Sequence, residues 1–303
     1  MTAVVPARRL DLPEHYDLAG TLAGLAVIRN DPTVRADSRE GWWVTRTPDG
    51  PGTLRLTRDG DALVARGYGP GAGWLLMRAD AISGLRDDLD GFAAVSGRHE
   101  LVRRLARVHR GRRMPASGLV FHHLVPAVLG QKVTYQEAYR SYRALLRHFG
   151  EPAPGAPHLC LPPQPASIAA TPYYLFHPFG IEQRRADTLR RAADRAAALE
   201  RATDAADAAR RLTTLAGIGP WTAAEVVRAS HGDPDAVSVG DYHLPDIVAW
   251  ALAGEPRADD RRMLELLEPF RGHRGRVCRL IMAAGIGAPK YGPRFPIRSF
   301  AHF

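Results

Sequence analysis

Asp241 is the residue of this chain whose surroundings best suit chemistry. It follows a short loop, Val237 to Gly240, about twenty residues after the turn Gly217-Ile218-Gly219-Pro220. Two glycines permit a tight turn and Pro220 presets the first turn of the next helix, so the pattern predicts a helix-hairpin-helix over about residues 205–230. Such a turn directs backbone N–H groups and a helix N-terminus outward, where they suit a phosphate oxygen. A phosphate-binding turn therefore precedes a lone carboxylate.

Several segments of the chain resemble one family of enzymes. Leu215 to Val226, followed by the Val/Gly loop and Asp241-Tyr242, is similar to the helix-hairpin-helix/Gly-Pro-Asp superfamily of DNA glycosylases, most closely the 3-methyladenine DNA glycosylase II group. Further similarity lies in residues 127–134, 179–186 and 269–271, so the resemblance spans most of residues 100–290. It implies an enzyme of base excision repair that flips a damaged nucleotide out of duplex DNA and hydrolyses the N-glycosidic bond of an alkylated purine.

The resemblance also implies roles for individual residues. Asp241 would be catalytic, and Trp221, Tyr242 and Phe270 would line the base pocket, although core packing is the alternative for each ring. DNA contacts are implied for the hairpin and for the turn after residue 130, namely Gly217, Ile218, Gly219, Pro220, Thr222, Gln131 and Lys132. A structural Na⁺ or K⁺ is implied at the backbone carbonyls of Thr213, Leu215 and Ile218, and no cofactor is required.

The chemistry expected of Asp241 is electrostatic. A carboxylate beside the sugar stabilises the oxocarbenium charge that develops as the base departs, and the same group can orient or deprotonate the attacking water. The alternative is that Asp241 only caps the helix predicted to start near Pro245, which is a common use of aspartate. The hairpin upstream favours catalysis.

The positions of the lysines indicate whether the enzyme also cleaves the DNA strand. Superfamily members that also cut the strand carry a lysine two residues after the second hairpin glycine, and here that position is Trp221. Only Lys132 and Lys290 occur in the chain, so we predict a monofunctional enzyme. Two alternatives remain: a lyase that uses Lys132, and a protein that binds DNA through its hairpin without chemistry. Lys132 also occupies the position that the resemblance assigns to the minor-groove wedge, where an apolar residue is the family's pattern.

Glu225 lies one helical turn after Trp221, so the two share a helix face. If Trp221 lines the pocket, this carboxylate is near the base and should favour lesions that carry a positive charge. The alternative is an ion pair with Arg228, three residues further on.

Composition supports an anionic partner and limits the cofactors. The chain has 303 residues, a net charge of +9 and a sequence pI near 10, which favours nucleic acid. With only Cys160 and Cys278, the chain cannot by itself supply a zinc finger or a four-cysteine iron–sulfur cluster. The absence of a long apolar run predicts no membrane association and a cytoplasmic protein, which we expect to be a monomer bound to damaged double-stranded DNA.

The element pattern predicts an α+β protein. Alternating segments at 41–47, 53–58 and 63–68, with a turn at 59–61 and a helix over 16–30, predict a small antiparallel sheet-plus-helix domain over residues 1–98. Residues 99–303 are predicted to be all-helical, with the two lobes that the resemblance implies. Thr134 and Glu137 form a capping-box pattern that starts a helix, and the Pro-rich residues 152–172 predict a loop between the lobes.

Overall fold

The computed structural model describes residues 5–289, so Lys290 and the part of the predicted helical region after it lie outside the described residues. The N-terminal elements are β1 (Ala7–Asp11), α1 (Leu18–Leu22), β2 (Val34–Ala36), β3 (Glu40–Thr47), β4 (Gly50–Asp59), β5 (Ala62–Tyr68), α2 (Ala72–Met77) and α3 (Ala79–Ile82). The five strands form an antiparallel sheet in the order β1-β5-β4-β3-β2. The predicted antiparallel domain is confirmed, with two edge strands that the sequence pattern did not reveal.

Alternation along β3 places its two tryptophans on opposite faces of the sheet. Trp43 is buried in the core of the N-terminal domain, whereas Trp42 lies on the other face, where the Arg55 guanidinium stands 4.9 Å from its ring centroid. The turn predicted at 59–61 joins β4 to β5, and Gly60 adopts a φ of 61°, which a glycine accommodates without strain.

The rest of the described chain is mainly helical. Its elements are α4 (Asp90–Ser96), α5 (Glu100–Val108), α6 (Val120–Leu129), α7 (Tyr135–Phe149), β6 (Pro152–Ala153), β7 (Ala156–Cys160), α8 (Pro165–Ala170), a 3₁₀ helix (Tyr173–Phe179), α9 (Gln183–Asp194), α10 (Ala196–Leu199), α11 (Ala205–Thr213), α12 (Pro220–Ser230), α13 (Leu244–Ala253), α14 (Asp260–Leu267), a 3₁₀ helix (Glu268–Phe270) and α15 (Arg274–Ala283). None of the helices within residues 5–289 is long and apolar enough to cross a membrane.

Two hydrophobic clusters define the two predicted lobes. The first surrounds α6, whose ten residues are all buried, and draws on α7, α9, α11 and α12. The second joins α4 and α5 to α13, α14 and α15. Phe92 of α4 belongs to this second cluster although it precedes residue 98, and the domain boundary at 98 stays a prediction.

Two segments differ from the sequence-based expectation. The helix predicted over 16–30 ends at Leu22, where the N–H groups of Gly24 and Leu25 donate to carbonyls three residues back. Beyond it, the carbonyls of Gly24 and Ala26 accept hydrogen bonds from the distant Arg228, at 2.6 and 3.3 Å. The loop predicted over 152–172 contains the β6–β7 hairpin and α8. By contrast, the Thr134 capping box is formed as predicted.

A buried polar cluster joins the sheet to α6 and makes stability depend on pH. His122 contacts Thr45 and Thr33 at 2.9 and 3.4 Å, and burial lowers its pKa to about 3. Burial likewise lowers the pKa of the neighbouring His123 well below its usual value. Burial has the opposite effect on Asp31, whose pKa rises to about 6 although Thr33 donates hydrogen bonds to it.

We therefore expect the free energy of unfolding to fall as pH drops below about 6.5. The unfolded chain protonates both histidines there while the folded chain does not, which contributes about 1.4 kcal/mol per pH unit for each group. Between about pH 6 and 4, Asp31 offsets the contribution of one histidine, because its carboxylate binds a proton in the folded chain at a higher pH than in the unfolded chain. Denaturant titrations from pH 7 to 4 should show a smaller pH slope for His122→Asn and a steeper one for Asp31→Asn. Identical slopes in all three proteins would contradict this assignment.

Candidate active site

The hairpin between α11 and α12 has the geometry that its glycines predict. Gly217 has a φ of 96°, and a Cβ added there would lie 2.2 Å from Thr188 Oγ1, so only glycine fits. Gly219 precedes α12 in extended conformation, and a Cβ added there would meet no atom within 4 Å. Among residues 5–289, no side chain caps the N-terminus of α12. Its first N–H groups are therefore open to an anion.

The Gln131 side chain, from the turn after α6, holds the hairpin in place. The Gln131 amide donates to the Gly217 carbonyl at 3.0 Å and to Thr222 Oγ1 at 2.8 Å. Ile218 and Thr222 are buried, so at these two positions only the backbone can reach DNA. The DNA contact predicted at Thr222 would therefore be made by its backbone, and it stays a prediction. Gln131 links the turn after α6 to the hairpin.

Lys132 lies at the exposed tip of the turn between α6 and α7. Its φ of 54° places it in the left-handed region, which costs a residue with a side chain about 1 kcal/mol or more. Its side chain thus projects from a turn whose two ends are anchored by helices.

Asp241 is both a helix cap and a group aimed at the hairpin helix. Its Oδ1 accepts hydrogen bonds from the backbone N–H groups of His243 and Leu244, at 2.8 and 2.9 Å. Its Oδ2 accepts one from Trp221 Nε1 at 2.9 Å. The cap and the catalytic role are therefore compatible, because one oxygen serves α13 while the other keeps a lone pair for a further partner.

Trp221 holds the parts of this site together. Its indole stands between Asp241, to which it donates, and the end of α6, where a Cβ added to Gly130 would lie 3.2 Å from its ring. The hairpin helix thus orients the carboxylate directly.

A cavity of about 260 Å³ opens beside Asp241. Glu225, Arg228, Cys278, Arg279 and Met282 are among its lining residues. Its volume is slightly below the range of about 300–1,000 Å³ of small-molecule pockets and suits one base rather than a whole nucleotide. A larger cavity of about 740 Å³, lined by Arg78, His231 and His273 among others, contains none of the predicted site residues.

Glu225 lines this cavity and is also paired with Arg228, so the structure contains both arrangements considered from the sequence. Glu225 Oε2 lies 3.0 Å from Arg228 Nη2, and Oε1 accepts the Ser238 hydroxyl at 2.5 Å. Burial opposes ionisation of Glu225, but Arg228 and the Ser238 hydroxyl together hold its pKa below the usual value. The pair is not a surface pair, since Arg228 is only 4% exposed.

Several solved structures similar to this chain are DNA glycosylases. A 3-methyladenine DNA glycosylase from Archaeoglobus fulgidus matches 91% of this chain and 97% of its own length, at 17% identity and a TM-score of 0.74. The fold is that of the DNA glycosylases. An 8-oxoguanine glycosylase/lyase from Clostridium acetobutylicum matches with a TM-score of 0.61 at 12% identity, over 82% of this chain and 98% of its own. A Schizosaccharomyces pombe 3-methyladenine DNA glycosylase in complex with abasic DNA matches with a TM-score of 0.53 at 18% identity, over 66% of this chain and 99% of its own. No family model and no curated protein sequence matches the chain.

Within this glycosylase fold, the predicted pocket aromatics occupy three different environments. Trp221 is partly buried against Asp241. Tyr242 is 74% exposed, with its ring edge-on to His243. Phe270 is 2% exposed inside the second lobe's cluster and is not among the residues that line the cavity beside Asp241. A 3₁₀ helix followed by a turn directs its ring inward.

The sequence analysis did not single out Arg279, which the glycosylase fold brings to the cavity. A signal existed: α15 reads RGRVCRLIMA, and an arginine within an apolar run of a buried helix usually meets a specific partner or cavity. Among the predicted cation ligands, the Leu215 carbonyl accepts the Ile218 N–H at 3.0 Å, which leaves it one lone pair for an ion.

Proposed function

We propose that this protein is a monofunctional DNA glycosylase that releases alkylated purines from duplex DNA in base excision repair. The observation that carries the proposal is the Trp221–Asp241 hydrogen bond of 2.9 Å, which fixes one carboxylate oxygen between a phosphate-binding hairpin and a base-sized cavity. A protein that only held DNA would need no carboxylate at this position.

The arrangement supports a specific order of events. Backbone N–H groups at the start of α12 bind a phosphate, which fixes the extruded nucleotide relative to the hairpin. The base enters the cavity and its sugar approaches Oδ2 of Asp241. As the glycosidic bond breaks, the carboxylate stabilises the cationic sugar and directs water to the anomeric carbon, with greater effect where bulk water is excluded.

Two features support hydrolysis without strand cleavage. The hairpin position used by lyases for their Schiff base is occupied by Trp221, whose indole donates to Asp241. Lys132 is the only lysine among residues 5–289. It lies at the tip of a turn and not in the cavity beside Asp241.

The proposal is tested by incubating the protein with alkylated genomic DNA and identifying released bases by mass spectrometry. Release of alkylated purines, leaving abasic sites in intact strands, is the expected result. Binding without release would favour the non-catalytic hairpin protein. Covalent trapping on damaged duplex by borohydride, abolished by Lys132→Ala, would favour the lyase instead.

We further propose that the carbonyls of Thr213, Leu215 and Ile218 hold a monovalent cation. Such an ion would neutralise carbonyl dipoles at the hairpin and attract the DNA phosphate. The remaining lone pair of Leu215 fits this use, and no step of the reaction above depends on the ion.

Lys132→Ala should slow excision of a lesion in a fully paired duplex about tenfold, and of the same lesion opposite a mismatch much less. The reason is that a side chain at the tip of this turn would fill the space left by the extruded nucleotide, and extrusion costs a few kcal/mol only when the base is well paired. Single-turnover rates on both duplexes measure the difference. Arg140→Ala, which removes an exposed charge from α7, is the control. Equal losses on both substrates would leave Lys132 as a phosphate contact.

A further inference from the structure

The charges around the cavity are unequally satisfied. Glu225 is neutralised by Arg228 and bonded by Ser238. Arg228 in turn donates to Glu225 and to the carbonyls of Gly24 and Ala26. Asp241 accepts three hydrogen bonds, from Trp221, His243 and Leu244. These three charged groups are occupied by protein partners.

Arg279 is the exception among the charged groups lining this cavity. Within residues 5–289, no hydrogen bond or ion pair joins its guanidinium to another residue. The Arg228 charge, followed by burial, lowers its pKa to about 10 against the opposing effect of Glu225, so it remains positive at neutral pH. None of its nitrogens is both sealed from solvent and without a partner, so water can solvate the guanidinium until a ligand in the cavity supplies acceptors in its place.

We propose that Arg279 is a specificity-determining residue that donates hydrogen bonds to the extruded base, and that the preferred substrates are neutral purine lesions with an acceptor-only edge. The inference rests on the proposed glycosylase function. It replaces the expectation that Glu225 favours cationic bases, because Arg228 already compensates that carboxylate.

The chemistry of a guanidinium defines this substrate class. Arginine carries five N–H donors and no acceptor, so it fits an edge on which a ring nitrogen or carbonyl oxygen stands where adenine has its amino donor. Etheno adducts meet this condition because the former amino nitrogen becomes a ring acceptor, and hypoxanthine meets it because a carbonyl replaces the amino group. Undamaged guanine also presents such an edge, but its pairing with cytosine opposes extrusion.

Arg279 also acts against positively charged lesions. A base alkylated at a ring nitrogen, such as 7-methylguanine in DNA, carries a positive charge that this guanidinium repels, and the alkyl group covers one acceptor. We therefore expect Arg279 to favour ethenoadenine over 7-methylguanine. This preference is separate from the difference in how easily the glycosidic bonds of the two lesions break.

The experiment compares each variant with the wild type on each lesion separately, which cancels that difference in lability. Ethenoadenine and 7-methylguanine are placed in the same duplex context, and kcat/KM is measured for the wild type, Arg279→Gln and Arg279→Lys. Arg279→Gln should lower kcat/KM for ethenoadenine at least about tenfold while leaving the value for 7-methylguanine unchanged or raised. Arg279→Lys should show a smaller loss for ethenoadenine than Arg279→Gln does, because lysine keeps the positive charge but not the planar set of donors. Arg35→Gln, at an exposed arginine of β2, is the charge-matched control.

Affinity for an abasic duplex supplies the second readout, because that DNA has phosphates and no base in the cavity. Arg279→Gln should bind it as the wild type does. Weaker binding to it, or equal losses on both lesions, would assign Arg279 to phosphate and overturn the inference, as would unchanged kinetics on both lesions. If the wild type releases neither lesion nor any other base, the proposed function itself fails. Release by the wild type with no shift in preference refutes only the role of Arg279.

Discussion

Asp241→Asn is expected to slow single-turnover base release by at least about a thousandfold while leaving duplex affinity within about twofold of the wild type. Asparagine keeps a carbonyl oxygen that can accept from the His243 and Leu244 N–H groups, so the cap of α13 survives. The negative charge facing the sugar is lost, and with it both the stabilisation of the cationic transition state and the base for water. The Trp221 indole loses a charged acceptor but not all hydrogen bonding.

Asp259→Asn is the matched control for this variant. Asp259 caps α14 by accepting the Arg262 N–H at 2.8 Å, and it does not line the cavity beside Asp241. Its replacement removes the same charge from the same kind of cap, so excision should be unchanged. Near-normal release by Asp241→Asn, measured by quantifying abasic sites, would reduce Asp241 to a helix cap.

Arg228→Met should destabilise the protein by about 3 kcal/mol or more, the second large effect that we expect. The substitution leaves the Glu225 carboxylate partly buried without its partner and removes the donors from the Gly24 and Ala26 carbonyls. The first loss acts within α12, and the second acts on the contact between α12 and the N-terminal domain. Chemical denaturation at neutral pH measures the change.

Two further variants separate the ion pair from the backbone contacts. Glu225→Gln combined with Arg228→Met should recover part of the lost stability, because the uncompensated charge is then absent. Arg262→Met removes more exposed pairs with Glu255 and Glu265 and should change stability much less than Arg228→Met does. Equal effects of Arg228→Met and Arg262→Met would show that the buried pair contributes no more than a surface one.

The parts of the site that were predictable from sequence depend on local interactions. The tight turn at Gly217 and the start of α12 at Pro220 follow from backbone preferences of adjacent residues. The same holds for the Thr134 capping box, which spans one helical turn. Asp241 was predictable as a cap for this reason, and as a catalytic group because the resemblance supplied its distance from the hairpin. The sheet strands were visible through their alternation.

The features that the sequence did not reveal involve residues far apart in the chain. Whether Phe270 lines a pocket or fills a core depends on how α14 and α15 pack, and they direct its ring inward. The segment after α1 is bound by Arg228, whose guanidinium donates to carbonyls 202 and 204 positions away in the chain.

The sequence alone therefore determined the hairpin and the α+β class, because each follows from contacts within a few residues or from strand and helix periodicity. Only the tertiary structure decided which charges face the cavity. Glu225 could be placed near Trp221 from helical spacing, yet its position opposite Arg279, which has no hydrogen-bond partner among residues 5–289, depends on α12 and α15 lining one cavity. Electrostatic interactions depend on distance in space and on burial, and neither can be read from positions separated by some fifty residues of chain.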